Sequence, residues 1–448
     1  MFKKILVLSL LCTVSTYAQY AIKGTINPNN DYSWILLYKL ENGKQSYIDN
    51  ANVENGAFQF NVDDVEPSGI YRAYYQIENS LYVEFIYNKE EIEFSFNPDN
   101  PTETIQFSSS EENKIYQEYY KKITVQQRKL DSLQVDYIRS ADPKTDQEII
   151  AKYRETLTEL QKVQVYYEKI SDGKLANHFI KASAQYNSNA PHKKPQDYIN
   201  EVKTHFFDAI DFKDKILSNS TFINDRLTDF VLYLNQSDRE VAQNALQKKA
   251  IENAVQRLDN DFDLLKNFEE SLLHHYVEEE NTEMIYFVIE EFYNELPIRY
   301  QDDALKYKVL AALKTAIGSE APDFSWEDDG INKNLHSLIG SEYYIVVFFS
   351  SGCPHCQIEM PDFYDFISGI ENIRVVTIGL EDQKEDWEEM TANYSEFINI
   401  LDLDKWQSKK VKDYGVTGIP GYFVLDANKK ILAKPNDLET LKTMFDVK

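Results

Sequence analysis

Cysteine is scarce in this chain of 448 residues, which contains Cys12, Cys353 and Cys356. Cys12 falls within an N-terminal segment that has the features of a cleavable leader, so the mature chain keeps two cysteines. A zinc ion held by Cys353 and Cys356 would need two further ligands, and no partner C-x-x-C or His pair motif accompanies them. The C-x-x-C spacing is more typical of a redox pair than of structural sulfurs. We therefore expect no metal site and a redox role for the pair, with an inert structural disulfide as the alternative.

Long apolar runs and positive charge are also lacking. No stretch of the mature chain reaches the roughly 18 apolar residues that a membrane-spanning helix needs, so we expect no transmembrane segment. The 74 acidic residues outnumber the 47 Lys and Arg residues, and the formal net charge is −27. A chain this acidic repels nucleic acid and anionic lipid headgroups, which excludes both as partners.

Residues 1–18 have the composition of a secretory signal peptide. Met1–Lys4 is basic, Ile5–Val14 is mostly apolar, and Thr16–Ala18 offers small residues before a cut at Gln19. A lipoprotein site at Cys12 is disfavoured, because Leu residues precede it where small residues are expected. The sequence thus predicts that the mature chain lies in the periplasm or cell envelope.

Composition divides the mature chain into three regions, which we predict to be separate domains. Residues 19–108 are β-rich and residues 109–317 are helical, while residues 318–448 alternate strands with helices. The first region predicts an antiparallel β-sandwich, because short alternating runs are separated by turn signals such as Glu41–Gly43. Its aromatic residues are expected mainly in the core, although they could also line a binding face. Predicted strands cover 21–26, 33–40, 46–53, 57–62, 69–76, 81–87 and 91–96.

The all-α region begins with a predicted helical hairpin. Apolar residues recur at spacings of three and four before and after a break at Asp142–Pro143. The length and charge of these helices would permit coiled-coil pairing, so a homodimer is left open. Packing within one chain is the more common outcome.

The third region places Cys353 at the start of a helix. Tyr343–Phe349 reads as a buried strand, Ser350–Gly352 as a tight turn and Gln357 onward as a helix. Unpaired amides and the helix dipole at such a position stabilise a thiolate. Cys356 would lie one helical turn further along the same face, where it could resolve a mixed disulfide.

A second segment of this region carries a proline at the start of a strand. Gly415–Gly421 leads into the predicted strand Tyr422–Asp426, and Pro420 follows Ile419 within that segment. A proline at a strand start is a candidate for a cis peptide bond.

These motifs resemble those of the TlpA/ResA type of thiol-disulfide oxidoreductase, which has a thioredoxin-like domain. Ala321–Phe324 is similar to the entry motif of that family. Cys353–Pro361 resembles its C-x-x-C-x-x-E-x-P signature, and Tyr414–Pro420 resembles its cis-proline loop. The motifs occur in the family's order across about 130 residues, so the resemblance predicts an α/β thioredoxin-like domain over 318–448. The upstream regions are less specifically similar to those attached to such domains in Gram-negative envelope proteins.

The resemblance implies a role for each of these residues. Cys353 would be the exposed nucleophile, Cys356 the buried resolving thiol and Pro420 the cis-proline packed beside their disulfide. The backbone of Ile419 would pair with an extended substrate segment. Glu359 would act as a proton acceptor for the buried thiol, or else be an exposed helical carboxylate.

Residues around the cysteines depart from the family pattern in ways that bear on substrate binding, proton transfer and redox potential. Gly352 stands where many relatives have an aromatic residue, which predicts a wider groove beside Cys353. Val347 stands where thioredoxins proper have a buried aspartate, so Glu359 becomes the expected substitute. The Pro354–His355 dipeptide resembles that of strongly oxidising DsbA-type proteins. The scaffold therefore suggests a reductase, whereas the dipeptide suggests a higher potential.

Together these observations predict an envelope enzyme that exchanges disulfides with protein thiols and disulfides, without a bound cofactor. An envelope partner protein would supply or remove the electrons. The alternative from another class is a non-enzymatic binding protein with a passive disulfide. A peroxiredoxin-type peroxidase is disfavoured, because both cysteines lie in one C-x-x-C motif.

Overall fold

A computed structural model of the chain describes residues 19–29, 32–77, 79–328 and 330–445. The predicted signal peptide, residues 1–18, lies outside the described residues. The chain divides into two compact units, one ending at Phe268 and the other beginning at Glu269. The end of the predicted helical region therefore belongs to the same unit as the C-terminal α/β region. The domain boundaries predicted from composition stay predictions.

The first unit begins with a β-sandwich, as the alternating runs predict. One sheet has the strand order β4-β1-β7-β8 and the other the order β3-β2-β5-β6. Inward-facing residues of both sheets, such as Phe60, Tyr71 and Tyr87, form one buried core, so most of the aromatic residues are core residues. The short helix α1 lies between β7 and β8. The bounds are β1 (Gln19–Ile26), β2 (Trp34–Glu41), β3 (Lys44–Asn52), β4 (Ala57–Asp63), β5 (Gly69–Gln76), β6 (Leu81–Tyr87), β7 (Ile92–Phe96), α1 (Pro101–Thr104) and β8 (Gln106–Phe107).

The sandwich differs from the prediction in one pairing, because β1 and β7 run parallel. Ile22 pairs with Ile92, and the register continues to Ile26 and Phe96. Parallel neighbours need a crossover connection rather than a hairpin. Here the chain passes through the other sheet between β1 and β7, so both strands enter their sheet in the same direction.

Helices follow the sandwich and begin with the predicted hairpin. Asp142 caps the second helix by accepting a hydrogen bond from the backbone amide of Thr145, and Pro143 occupies the first turn. Leu130, Tyr153 and Leu157 belong to the buried seam between the two helices. The bounds are α2 (Glu111–Arg139), α3 (Pro143–Ile170), α4 (Leu175–Ala182), α5 (Pro195–His205), α6 (Lys215–Ser218), α7 (Phe222–Leu232), α8 (Glu240–Arg257), α9 (Phe262–Glu278), α10 (Thr282–Glu291) and α11 (Asp303–Lys314).

The second unit contains a sheet with the strand order β13-β12-β11-β14-β15. The strands β11, β12 and β13 are parallel, whereas β14 and β15 pair antiparallel. Parallel strands place their C-terminal ends at one edge of the sheet, and the cysteine turn follows β11 at this edge. The bounds are β9 (Ser325–Asp328), β10 (Ile331–Asn334), β11 (Tyr343–Phe349), α12 (Pro354–Ser368), β12 (Ile373–Leu380), α13 (Lys384–Thr391), β13 (Ile398–Asp402), α14 (Lys409–Tyr414), β14 (Gly421–Asp426), β15 (Ile431–Ala433) and α15 (Leu438–Phe445).

The central strand β11 is buried on both faces, which explains its continuous run of apolar residues. Tyr344, Val346 and Phe348 belong to one core cluster. Val347 and Phe349 belong to the other cluster, together with Cys356 of α12. The predicted α/β architecture is therefore confirmed, while the β9–β10 hairpin, β13 and α15 were not foreseen.

Part of the helical segment packs against this α/β layer within the second unit. The Nζ atom of Lys314 in α11 lies 2.8 Å from Oδ1 of Asp413 in α14. Lys434, just after β15, pairs with Glu280 at 2.7 Å. Among the described residues, no helix combines the length and the apolar composition needed to cross a membrane.

Candidate active site

Cys353 is the N-cap residue of α12. Its backbone is extended, with φ −87° and ψ 117°, and Pro354 follows in the first turn. The backbone amide of Cys356 donates a hydrogen bond to the Cys353 sulfur at 3.4 Å. Cys353 is partly exposed, and both cysteines are free thiols in this structure. The arrangement puts a reachable sulfur among helix N-terminal amides, which stabilise a thiolate.

Cys356 lies in a different environment, inside the core. Its side chain is 0% exposed and packs in the cluster that includes Val347, Phe349 and Met360. Burial raises the pKa of the Cys356 thiol well above its ordinary value, and the neighbouring Cys353 sulfur and the Glu359 carboxylate add to that rise. The pair therefore consists of one accessible sulfur and one that is kept protonated until a nearby group takes its proton.

The loop ending at Pro420 lies against Cys353. The Ile419–Pro420 peptide bond is cis, as the proline at the strand start predicts. The Cys353 thiol lies 3.7 Å from the Ile419 carbonyl oxygen, to which it can donate a weak hydrogen bond. An open groove of about 450 Å³ runs along this loop. Its lining includes His355, Glu359, Gly415–Phe423 and Lys434–Asn436.

Glu359 lies on α12, half-buried, with its carboxylate directed at neighbouring elements. Its Oε1 atom accepts a hydrogen bond of 3.0 Å from the Tyr422 hydroxyl and one of 2.7 Å from the backbone amide of Leu438. Burial raises the pKa of Tyr422 far above its ordinary range, and the Glu359 charge adds to the effect. Tyr422 is thus a fixed donor to the carboxylate, and the sequence analysis did not single it out.

The remaining predicted residues surround Cys353 at the surface. Gly352, Pro354 and His355 are all exposed. Among the described residues, no hydrogen bond or ion pair to His355 is found, so its ring is open to water. The structure places these residues at the site, and their part in substrate binding stays a prediction.

A buried carboxylate next to the cysteine turn was also missed. Glu381 follows β12, and its carboxylate contacts Ser350 and Ser351 just before Cys353. The available signal was an acidic residue directly after a buried strand, at the edge where the parallel strands end. Within the described part of the chain, no group of three or more His, Cys, Asp or Glu side chains is placed to hold a metal ion.

Comparison with known protein families supports this geometry. A model of a thioredoxin-like family matches residues 340–431, a range that includes both cysteines, Glu359 and Pro420. The C-terminal part of the chain is a thioredoxin-like domain. A second family model, a domain of unknown function (DUF4369), matches residues 20–116 of the sandwich region. No curated protein matches this chain significantly.

Solved structures similar to this chain include three from Bacteroides species. The thioredoxin domain of a thiol-disulfide oxidoreductase from Bacteroides vulgatus is 24% identical, with 29% of this chain and 96% of that chain covered and a TM-score of 0.27. A thiol:disulfide interchange protein from a Bacteroides species is 23% identical, with coverage of 30% and 90% and a TM-score of 0.27. A thioredoxin-like protein from Bacteroides caccae is 18% identical, with coverage of 57% and 95% and a TM-score of 0.40.

Proposed function

We propose that this protein is a thiol-disulfide oxidoreductase of the cell envelope that acts on protein disulfides through Cys353 and Cys356. The observation that carries the proposal is the asymmetry of the two sulfurs. Cys353 is partly exposed at the N-terminus of α12 and lies beside the Ile419 carbonyl, whereas Cys356 is fully buried behind it. One accessible nucleophile and one buried resolving thiol, one helical turn apart, form the minimal apparatus for disulfide exchange.

The exchange runs in two displacements. The Cys353 thiolate attacks one sulfur of a substrate disulfide, forming a mixed disulfide and releasing the first substrate thiolate. Cys356 then loses its proton, and its thiolate attacks the Cys353 sulfur, which releases the second substrate thiolate. The protein is left with a Cys353–Cys356 disulfide, and the substrate has gained two electrons. The Glu359 charge contributes to the raised pKa of Cys356, and we propose that Glu359 accepts the Cys356 proton.

We propose net reduction of substrates rather than oxidation. Strong oxidants of this class stabilise their reduced form as a thiolate. Burial raises the pKa of Cys356, so the stabilised thiolate of the reduced form is limited to Cys353, and the resemblance of the scaffold to that of reductases supports net reduction. His355, the residue that suggests a higher potential, is exposed to water. A measured potential near roughly −270 mV would support the reductase, and one near roughly −120 mV would contradict it.

Regeneration of the dithiol requires a reductant, which we propose to be a dithiol protein of the envelope. The predicted signal peptide supports that location. N-terminal sequencing of the secreted chain should begin at Gln19, and retention of residues 1–18 in a cytoplasmic product would contradict it.

The function is tested by reduction of insulin disulfides with dithiothreitol as electron source, using the chain from Gln19 onward. We expect Cys353→Ser to abolish the catalysed rate. Cys356→Ser should stop turnover and accumulate mixed disulfides with substrate proteins through Cys353. Equal rates for the wild type and Cys353→Ser would overturn the proposal.

Ligand binding by the first unit is a second candidate function. An open groove of about 370 Å³ in this unit is lined by residues such as Arg72, Tyr82, Tyr116 and Asp225. Arg72 pairs with Glu84 at 2.8 Å and lies over the Tyr82 ring, so groups of the protein itself hold the polar end of the groove in place. If the wild type does not reduce insulin and its Cys353–Cys356 disulfide stays oxidised in the assay, the binding-protein function would be favoured.

Self-association through the α2–α3 hairpin is proposed as well. Tyr120, Val165 and Tyr166 remain exposed on these helices, and apolar side chains at such positions are available for pairing. Light scattering of the purified chain distinguishes a dimer from a monomer.

A further inference from the structure

Glu381 occupies a position that connects the sheet to the cysteine turn. It directly follows β12, which pairs with β11 in parallel, so the ends of both strands lie side by side. The residue is 4% exposed, and its backbone amide donates a 3.1 Å hydrogen bond to the Asp402 carbonyl at the end of β13. The side chain is therefore anchored on rigid sheet structure next to the turn that carries Cys353.

The Glu381 carboxylate accepts hydrogen bonds from the two serines of that turn. Oε1 accepts from the backbone amide of Ser351 at 2.5 Å. Oε2 accepts from the Ser351 hydroxyl at 2.8 Å and from the Ser350 hydroxyl at 3.3 Å. A buried carboxylate needs such donors to offset its lost hydration, and hydrogen bonds to a charged acceptor are stronger than neutral ones.

The same turn is bonded to both cysteines and to α12. The Ser350 carbonyl accepts a hydrogen bond of 3.2 Å from the Cys353 amide, and the Ser351 carbonyl accepts one of 2.7 Å from the Gln357 side chain. A backbone hydrogen bond from Ser350 lowers the pKa of Cys356, opposing part of the effect of burial. A shift of this turn would therefore change the surroundings of both sulfurs.

We propose that Glu381 is a positioning residue that holds the Ser350–Ser351 turn and thereby sets the reactivity of Cys353. This inference rests on the proposed function. The side-chain hydrogen bonds of Glu381 go to Ser350 and Ser351 and not to either sulfur, so it would act through the turn. The carboxylate is anchored at a strand end and accepts hydrogen bonds from the turn, so it holds in place the start of α12, where the Cys356 amide donates to the Cys353 sulfur.

The test compares Glu381→Gln with Asp382→Asn in the full mature chain. Both variants remove one carboxylate at adjacent positions, but the Asp382 side chain is 79% exposed and pairs with Lys405 at 2.7 Å. Removal of charge alone would favour the Cys353 thiolate and speed its alkylation. Loss of positioning would slow it instead. We expect Glu381→Gln to slow iodoacetamide alkylation of Cys353 at pH 7 by about tenfold, the size expected for a lost charge-assisted hydrogen bond, and Asp382→Asn to leave it unchanged.

Ser351→Ala tests the same contact if Glu381→Gln fails to fold. It removes the hydroxyl donor and keeps the 2.5 Å amide bond, so we expect a smaller decrease in the same rate. The double variant should lose less than the product of the two single effects, because both act through one contact. A rate for Glu381→Gln that equals or exceeds the wild-type rate, or full additivity with Ser351→Ala, would overturn the inference.

The proposed function and this inference fail in different ways. A wild type without insulin reductase activity would defeat the function, whatever the alkylation rates. With an active wild type, a Glu381→Gln alkylation rate that equals or exceeds the wild-type rate would defeat the positioning role alone, as would an unchanged pH profile and reduction potential.

Discussion

The Tyr422 hydroxyl donates a hydrogen bond of 3.0 Å to Oε1 of Glu359, which links β14 to the helix that carries Cys356. Tyr422 is 2% exposed, and burial followed by the Glu359 charge raises its pKa, so it remains a donor at any physiological pH. The backbone amide of Leu438 donates to the same oxygen. These two donors hold the Glu359 carboxylate in place near Cys356, where it can accept a proton from the thiol.

Glu359→Gln tests whether this charge acts on Cys356. The carboxylate contributes to the raised pKa of the Cys356 thiol, so its removal should lower that pKa. In a Cys353→Ser background, the alkylation rate of Cys356 at pH 8 should then rise by about three- to tenfold. Insulin turnover should nevertheless fall, because the proposed proton acceptor is lost. Rates measured from pH 6 to pH 10 separate the two effects.

Tyr422→Phe is the matched control for that experiment. It removes the hydroxyl donor but keeps the ring in the core and the charge on Glu359. We expect its Cys356 alkylation profile to stay near wild type or move to higher pH. A Glu359→Gln profile identical to that of wild type would show that the carboxylate does not influence Cys356.

The two cysteines should differ strongly in reactivity. Cys353 is partly exposed at a helix N-terminus, whereas burial raises the pKa of Cys356. In the reduced protein at pH 7, mass spectrometry should find Cys353 labelled by iodoacetamide at least about 100-fold faster. Denatured protein should show nearly equal rates, which serves as the control. Faster labelling of Cys356 in the native protein would contradict the assignment of the nucleophile.

Much of the fold could be predicted because its signals are local. Alternation and turn residues place β5 and β6 at their observed bounds, and a break at Asp142–Pro143 separates α2 from α3. The parallel pairing of β1 with β7 could not be predicted in this way. It depends on how the chain passes between two sheets, and no short segment carries that information.

The candidate site shows the same division. The C-x-x-C spacing already places Cys353 and Cys356 one helical turn apart at the same end of one helix. Tyr422 and Glu381 have no such signal, because their contacts join residues 63 and 30 positions apart in the chain. A tyrosine in a strand and an acidic residue after one are ordinary until the sheet order is known.

Gly379→Ala should destabilise the thioredoxin-like domain. A Cβ atom at this position of β12 would lie 2.4 Å from Cδ1 of Trp387, which packs directly over the glycine. Overpacking of this kind costs about 1–3 kcal/mol, measurable as a lower midpoint of urea unfolding. Gly369→Ala is the control, since its added Cβ would meet only the Phe366 carbonyl, at 3.6 Å. Equal midpoints for the two variants would contradict the predicted overlap.

The buried carboxyl group of Glu269 should make the stability of the protein depend on pH, independently of the cysteines. It lies in α9, is 2% exposed, and its Oε2 atom has no hydrogen-bond partner among the described residues. Burial, with a contribution from the Glu270 charge, raises the pKa of Glu269 from 4.5 to about 8. Since the folded state holds this proton more tightly than the unfolded state, the stabilisation is complete below pH 4.5 and is lost as pH rises towards 8.

Glu269→Gln should remove that loss, because the amide is neutral at every pH. We expect the variant to be about 2–4 kcal/mol more stable than wild type at pH 9 and to show little or no such gain at pH 4.5. Chemical unfolding at a series of pH values measures the difference. Glu278→Gln, at the exposed end of the same helix, removes the same charge without relieving burial and should track the wild type. A gain that is constant across this pH range would show that the pKa of Glu269 is the same in the folded and unfolded states, contrary to the effect expected from burial.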